Sequence, residues 1–387
     1  MDENKKKILD QLIKNEIEKR HFPGFLIGTK TEDKEEVFSY GMADPSSGMR
    51  MERDTIFRLY SMSKPVCAVA IWILIERGLL SLDDRLEDIM TEFHDMVRYQ
   101  GDELVAVQHP VTIRDLLNMT AGFTYDDEDV VGRKTGSLFE AIHKAEDEGR
   151  DISTRDVMKM LAEQPLANEP GRCWRYGLCA DVLGAVIEVV DGRRLSEFYQ
   201  KEIFEPLGMK DTGFYVPKNK KCRFAPLFAR EDKMGKSVLT YDRGHHLGLD
   251  DFLSPPAFES AGAGLVSTYD DYMKFAWMLA CGGELNGTRI IRRDTVKIFS
   301  ENQLTRQQTE AINLDYLKGY GYGNLMRVCV EEKEACVPGI RNAFGWDGWC
   351  GPYMTVDSEN RKALVFFLQI AGYADWELNS DILRLFI

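Results

Sequence analysis

The chain opens on an amphipathic stretch. Across residues 4–20, Ile8, Leu9, Leu12, Ile13 and Ile17 recur at three- to five-residue spacing among Lys, Glu and Asn, which predicts a helix with one apolar face. Residues 25–30 and 36–41 then read as two short strands, a helix leading into a hairpin. At the far end, 353–356 and 363–369 predict another strand pair joined by the turn Asp357-Ser358-Glu359-Asn360, and 376–386 predicts a closing helix. Helical periods dominate from about 65 to 300, as in 66–77, 113–119, 180–190 and 270–279. The order of elements predicts an α/β (α+β) fold: an antiparallel sheet built from both chain ends (about 1–60 and 255–387) and flanked by helices, with an inserted mainly helical part at about 61–254. Together these would form a single catalytic unit.

Composition narrows the partners. The 387 residues are 44% hydrophobic, enough for a large core, and 63 Asp plus Glu against 49 Lys plus Arg give a formal net charge of −14. Such a balance argues against nucleic acid, which needs a concentrated basic surface. The first twenty residues carry charge but no apolar signal-peptide core, and no window reaches about 18 uninterrupted apolar residues, so a cytoplasmic protein without membrane contact is expected. Eight cysteines (Cys67, Cys173, Cys179, Cys222, Cys281, Cys329, Cys336 and Cys350) are scattered without C-x-x-C pairs, which predicts reduced, mostly buried thiols.

The chemistry begins at Tyr60-Ser61-Met62-Ser63-Lys64, which runs straight into the apolar run Pro65 to Leu74. A serine at the mouth of a buried helix meets free backbone N–H groups and the positive end of the helix dipole. Residues i and i+3 share a helix face, so Lys64 can reach Ser61. A lysine held there, partly desolvated, can take the serine proton and create a nucleophile. Ser-x-x-Lys by itself is a short motif that also arises by chance.

Much of the chain supports the motif by resemblance, and in order. Asp54-Thr55-Ile56-Phe57-Arg58 before the serine, Ile75 to Asp84 after it, Val111 to Phe123, Ile203 to Phe214 and Ala261 to Thr268 are together similar to the serine β-lactamase-like superfamily. That superfamily includes class C β-lactamases, D-alanyl-D-alanine peptidases, family VIII carboxylesterases and related acyltransferases. The resemblance implies a β-lactamase/transpeptidase-like fold with Ser61 as nucleophile and Lys64 as its activator. It also implies a Tyr-x-Asn element, whose counterpart here is Tyr176-Gly177-Leu178. Tyr176 would share the proton network as base and acid. Leu178 replaces the amide that would hydrogen-bond a β-lactam or peptide.

The third family element, Lys-Thr-Gly on an edge strand, exists literally as Lys134-Thr135-Gly136, but it precedes Tyr176 and reads as a loop. The better counterpart is Gly345-Trp346-Asp347-Gly348-Trp349, before the last strand pair, where esterase-like relatives carry Trp-Gly-Gly. A strand there would set the Trp349 N–H opposite that of Ser61 as an oxyanion hole, each donor worth about 3 kcal/mol. Trp346, Asp347, Gly348, Leu178 and Tyr125 are the expected substrate-binding residues. Trp346 in place of lysine, and the charge of Asp347, disfavour anionic substrates.

Other chemistries lack their residues. There is no G-x-S-x-G elbow, no H-E-x-x-H, no Walker A and no dinucleotide fingerprint, and His245-His246 reads as a loop or pocket rim rather than a metal site. The expectation is a serine hydrolase that forms an acyl-enzyme at Ser61, acting on small esters or amides without metal or cofactor. A β-lactamase or D-amino-acid peptidase, an acyltransferase, and a catalytically silent scaffold of the same fold are the alternatives.

Overall fold

In the computed structural model, residues 1–230, 237–240, 246–249 and 251–386 are described. Helix α1 (Glu3–Arg20) is capped by Asp2, whose side chain accepts from the Lys5 N–H, and buries Leu9 and Ile13. The chain then forms strands β1 (Gly24–Lys30), β2 (Glu35–Asp44) and the short β3 (Met49–Arg50). The helical middle contains α2 (Lys64–Glu76), α3 (Val130–Asp147), α4 (Thr154–Ala162) and α5 (Cys179–Asp191). Next come α6 (Tyr269–Ala280), strands β4 (Tyr320–Gly323), β5 (Met326–Cys329), β6 (Phe344–Gly345), β7 (Tyr353–Asp357) and β8 (Lys362–Phe367), and the closing helix α7 (Trp376–Phe386).

The strands form one antiparallel eight-stranded sheet in the order β4-β5-β6-β7-β8-β1-β2-β3. The N-terminal hairpin therefore docks on the last strand, with Leu26 opposite Phe367 and Gly28 opposite Val365. Both faces are covered, which explains the unbroken apolar runs of β1 and β8. Successive side chains serve different cores: Phe25, Ile27, Leu364 and Phe366 pack against Leu9 and Ile13 of α1 and Ile382 and Leu383 of α7. Leu26, Val365 and Phe367 face α6 in the larger core, to which α2 and α5 also contribute. Close approach of α6 requires Gly28, since a Cβ there would lie 2.1 Å from the Tyr269 hydroxyl.

Three expectations change. Lys134-Thr135-Gly136 is not a loop but lies inside α3, because Asp129 caps that helix and Val131, Leu138, Phe139 and Ile142 give it a buried face. The segment after β6 is extended only in part: Asp347 bridges Tyr353, while Trp349 lies in a turn. Four of the eight free cysteines, Cys67, Cys179, Cys329 and Cys350, are buried; Cys222 and Cys336 are exposed. Among the described residues no helix is long and apolar enough to cross a membrane.

Candidate active site

Ser61 lies in a 3-10 turn, Tyr60–Ser63, that feeds directly into α2. The turn starts from Tyr60 in the left-handed region, with φ 44°, a conformation that costs a bulky residue about 1–2 kcal/mol and survives only where its surroundings impose it. Those surroundings are visible. The Leu59 N–H donates to Leu265 O at 2.9 Å, the Leu265 N–H to Ser63 Oγ at 3.1 Å, and the Tyr272 hydroxyl to Met62 O at 2.6 Å. The Tyr60 ring packs edge-on to Trp349 and Phe252, with centroids at 5.0 and 6.0 Å.

Lys64 is fully buried, and its Nζ makes three hydrogen bonds: to Ser61 Oγ at 3.1 Å, to the Tyr125 hydroxyl at 2.9 Å and to Gly262 O at 2.9 Å. The pairing of Ser61 with Lys64 follows from their spacing on one helical turn. Tyr125 and Gly262 come from distant loops that only the tertiary fold brings in. Burial holds the Tyr125 phenol well above its ordinary pKa, and Asp181 adds to the effect, so this tyrosine keeps its proton.

Asp181 is the residue that sequence reasoning missed. It is 2% exposed in the first turn of α5 and accepts from Ser260 Oγ at 2.5 Å and from the Gly262 N–H at 3.1 Å. Gly262 thus links Asp181, on its N–H, with Lys64, on its carbonyl. Burial is the largest influence on the Asp181 carboxyl and raises it above its ordinary range, against the pull of Ser260 and Lys64. A lone acid opening the otherwise apolar run Cys179 to Ile187 was the signal available in the sequence.

Tyr176 stands on the other side of the lysine. Lys64 Nζ lies 4.8 Å from its ring centroid, and its hydroxyl accepts from Trp346 Nε1 at 2.9 Å. The rings of Tyr125 and Tyr176 meet edge-on at 5.4 Å. Trp346 is 1% exposed, so its indole orients Tyr176 instead of forming an open pocket wall. Leu178 is buried in the core at the start of α5, leaving no side-chain amide beside Tyr176. Asp347 ion-pairs with Arg327.

Gly348 and Trp349 lie against Leu59 and Tyr60, directly ahead of the serine. A Cβ on Gly348 would come 2.1 Å from Leu59 O, so only glycine fits. Gln369 ties the same region together, accepting from the Arg58 N–H at 3.1 Å and donating to Arg58 O at 3.2 Å. The Trp349 ring is half-buried and stacks on His246 at 4.0 Å. Burial depresses the His246 pKa to about 4, so the imidazole is neutral at pH 7. His245 lies outside the described residues. Among the described residues no group of three or more His, Cys, Asp or Glu side chains is arranged to hold a metal.

Comparison with known proteins places the chain in a family. The family model described as Beta-lactamase matches residues 9–385. Esterase EstB of Burkholderia gladioli is 29% identical over 332 residues, 82% of this chain and 78% of EstB. A protein of Mycobacterium tuberculosis strain H37Rv is 28% identical over 346 residues, 86% of this chain and 82% of its own. Among solved structures, EstCE1, a hydrolase with promiscuous acyltransferase activity, superposes with a TM-score of 0.81 at 24% identity, covering 98% of both chains. Simvastatin synthase LovD of Aspergillus terreus gives 0.81 at 19% identity, covering 98% of this chain and 97% of its own. With its mixed α/β architecture, its antiparallel sheet and a family match that spans nearly its whole length, the chain belongs to the beta-lactamase family, in which it has esterases among its relatives.

Proposed function

We propose that the protein is a serine hydrolase of carboxylesterase type, which forms an acyl-enzyme at Ser61 from small, uncharged esters or amides and releases it to water. The observation that carries this reading is the fully buried Lys64 amine, hydrogen-bonded to Ser61 Oγ, Tyr125 and Gly262 O. Three contacts suit both protonation states. A neutral amine donates to Tyr125 and Gly262 and accepts the Ser61 proton; the ammonium then donates to all three. Proton transfer therefore needs no rearrangement of partners.

In this mechanism Ser61 attacks the substrate carbonyl as its proton passes to Lys64. The oxyanion is held by the backbone N–H groups of Ser61 and Trp349. Tyr176, its oxygen engaged by the Trp346 indole, delivers a proton to the departing alkoxide, and Lys64 restores it through one bridging water, because the amine faces the ring of Tyr176 and not its hydroxyl. Water, activated by the same groups, then resolves the acyl-enzyme. An alcohol in place of water gives acyl transfer, and the promiscuous acyltransferase activity of the fold neighbour EstCE1 favours that as a second outcome of the same intermediate.

Fluorophosphonate labelling followed by intact-mass measurement tests the nucleophile. One adduct on the native protein and none on Ser61→Ala is expected. No adduct on the native protein would sink the catalytic reading, whereas an adduct elsewhere would sink only the assignment to Ser61.

A further inference from the structure

Arg327 lies on β5 opposite Gly345 of β6, away from the Ser61–Lys64 proton network. It is 3% exposed, yet it carries a full charge. Its guanidinium ion-pairs with Asp347 and sits 5.5 Å from the ring centroid of Trp346 and 4.4 Å from that of Tyr353. A cation over aromatic faces with a carboxylate at its edge is stabilised from both directions. One buried cation therefore contacts two consecutive residues, Trp346 and Asp347, of the segment that reaches Tyr176 and the serine turn. Burial alone would push the Asp347 carboxyl up towards its neutral form, and Arg327 opposes this.

Backbone contacts hold the segment only irregularly. Beyond β6 regular pairing gives way to separate bonds: Met354 N–H to Trp346 O at 2.9 Å, Gly348 N–H to Pro352 O at 2.8 Å, Tyr373 N–H to Trp349 O at 3.0 Å, Ile370 N–H to Cys350 O at 2.9 Å, and the bridge between Asp347 and Tyr353. A displacement here moves the indole that meets Tyr176 and the ring that packs on Tyr60 together.

We propose that Arg327, through its ion pair with Asp347 and its contact with Trp346, is a positioning residue of the Ser61 site. It fixes residues 345–349 at the register where Trp346 reaches Tyr176 and Trp349 lies against Tyr60. This rests on the hydrolase reading above.

The test uses the full chain with R327M, R327K and the double variant R327M/D347N, at a temperature where circular dichroism shows each folded. Turnover of p-nitrophenyl butyrate and hydrogen exchange of residues 344–350 are measured on each. R327M should lose about 100-fold in kcat, the scale of a 1 Å misplacement, with KM almost unchanged, and its 344–350 amides should exchange faster. Adding D347N should recover about tenfold of that loss, because the uncompensated carboxylate is gone. R327K should fall between native and R327M, and it carries the comparison if R327M does not fold. Native kcat and native exchange in a folded Arg327 variant would overturn the proposal. If the native protein hydrolyses no ester, the hydrolase reading fails by itself, and the exchange comparison still decides whether Arg327 positions the segment.

Discussion

Lys64 donates to the phenol of Tyr125 at 2.9 Å, whereas it meets Tyr176 over the ring face, 4.8 Å from the centroid. The two tyrosines beside the lysine thus differ in kind. Tyr125 is buried and keeps its proton, holding the amine in place; Tyr176 is half-buried, with its oxygen turned to the Trp346 indole.

Substitution should separate them. Lys64→Met is expected to lower kcat/KM for a p-nitrophenyl ester by about 10³-fold, and Tyr176→Phe by about 10²-fold, within the range for general acid–base groups. Tyr125→Phe should cost about tenfold, the upper end of what one ordinary hydrogen bond contributes. Steady-state kinetics on the three variants checks the order, and a greater loss for Tyr125→Phe than for Tyr176→Phe would make Tyr125 the proton carrier.

Gly348 offers a steric test. With a Cβ 2.1 Å from Leu59 O, Gly348→Ala must push the segment away from the serine turn. A stability loss of about 1–3 kcal/mol, as for overpacked cores, is expected in chemical denaturation. Ester turnover should fall by about 10²-fold at temperatures where the variant remains folded. A variant with native turnover would show that this contact does not position the site.

The stacked imidazole gives a pH signature. His246 titrates near 4 in the folded state against 6.5 for an ordinary histidine. Between those values the unfolded chain binds more protons, so this residue's contribution to stability is present above 6.5 and is lost as the pH falls towards 4. His246→Phe keeps an aromatic ring on Trp349 and removes the titration. Melting temperatures should therefore diverge in favour of the variant as the pH falls from 7 to 4.5, and a constant difference across that range would contradict the assignment.

Substrate charge should matter. The Trp346 indole is uncharged and its N–H is taken by Tyr176, and Arg327 is paired with Asp347, so neither offers a free positive charge to a carboxylate-bearing substrate. A neutral p-nitrophenyl ester should be turned over with kcat/KM about 10²-fold or more above that of a chromogenic cephalosporin. The reverse preference would favour the β-lactamase alternative.

Much of this molecule is written locally. The apolar periods of α1, α2, α5 and α7 and the short unbroken apolar runs of β1 and β8 mark their elements, because the sequence displays the surface that each one buries. Ser61 and Lys64 are legible for the same reason: one helical turn fixes their distance. Strands β4 and β5 are not, since Gly321 and Gly323 weaken the β signal and their room is set by Asn302 and Gln303, which a Cβ at either glycine would strike. Nor could spacing reveal that Tyr125 and the Gly262 carbonyl hold the lysine, that Asp181 holds the Gly262 N–H behind it, or that Arg327 neutralises Asp347. Those partners lie up to 198 residues from the groups they serve. The sequence alone determined which residues could do chemistry, through local periodicity and order along the chain. Only the tertiary structure decided which buried charges and hydrogen bonds meet, because satisfying a desolvated lysine or carboxylate depends on contacts that no local pattern encodes.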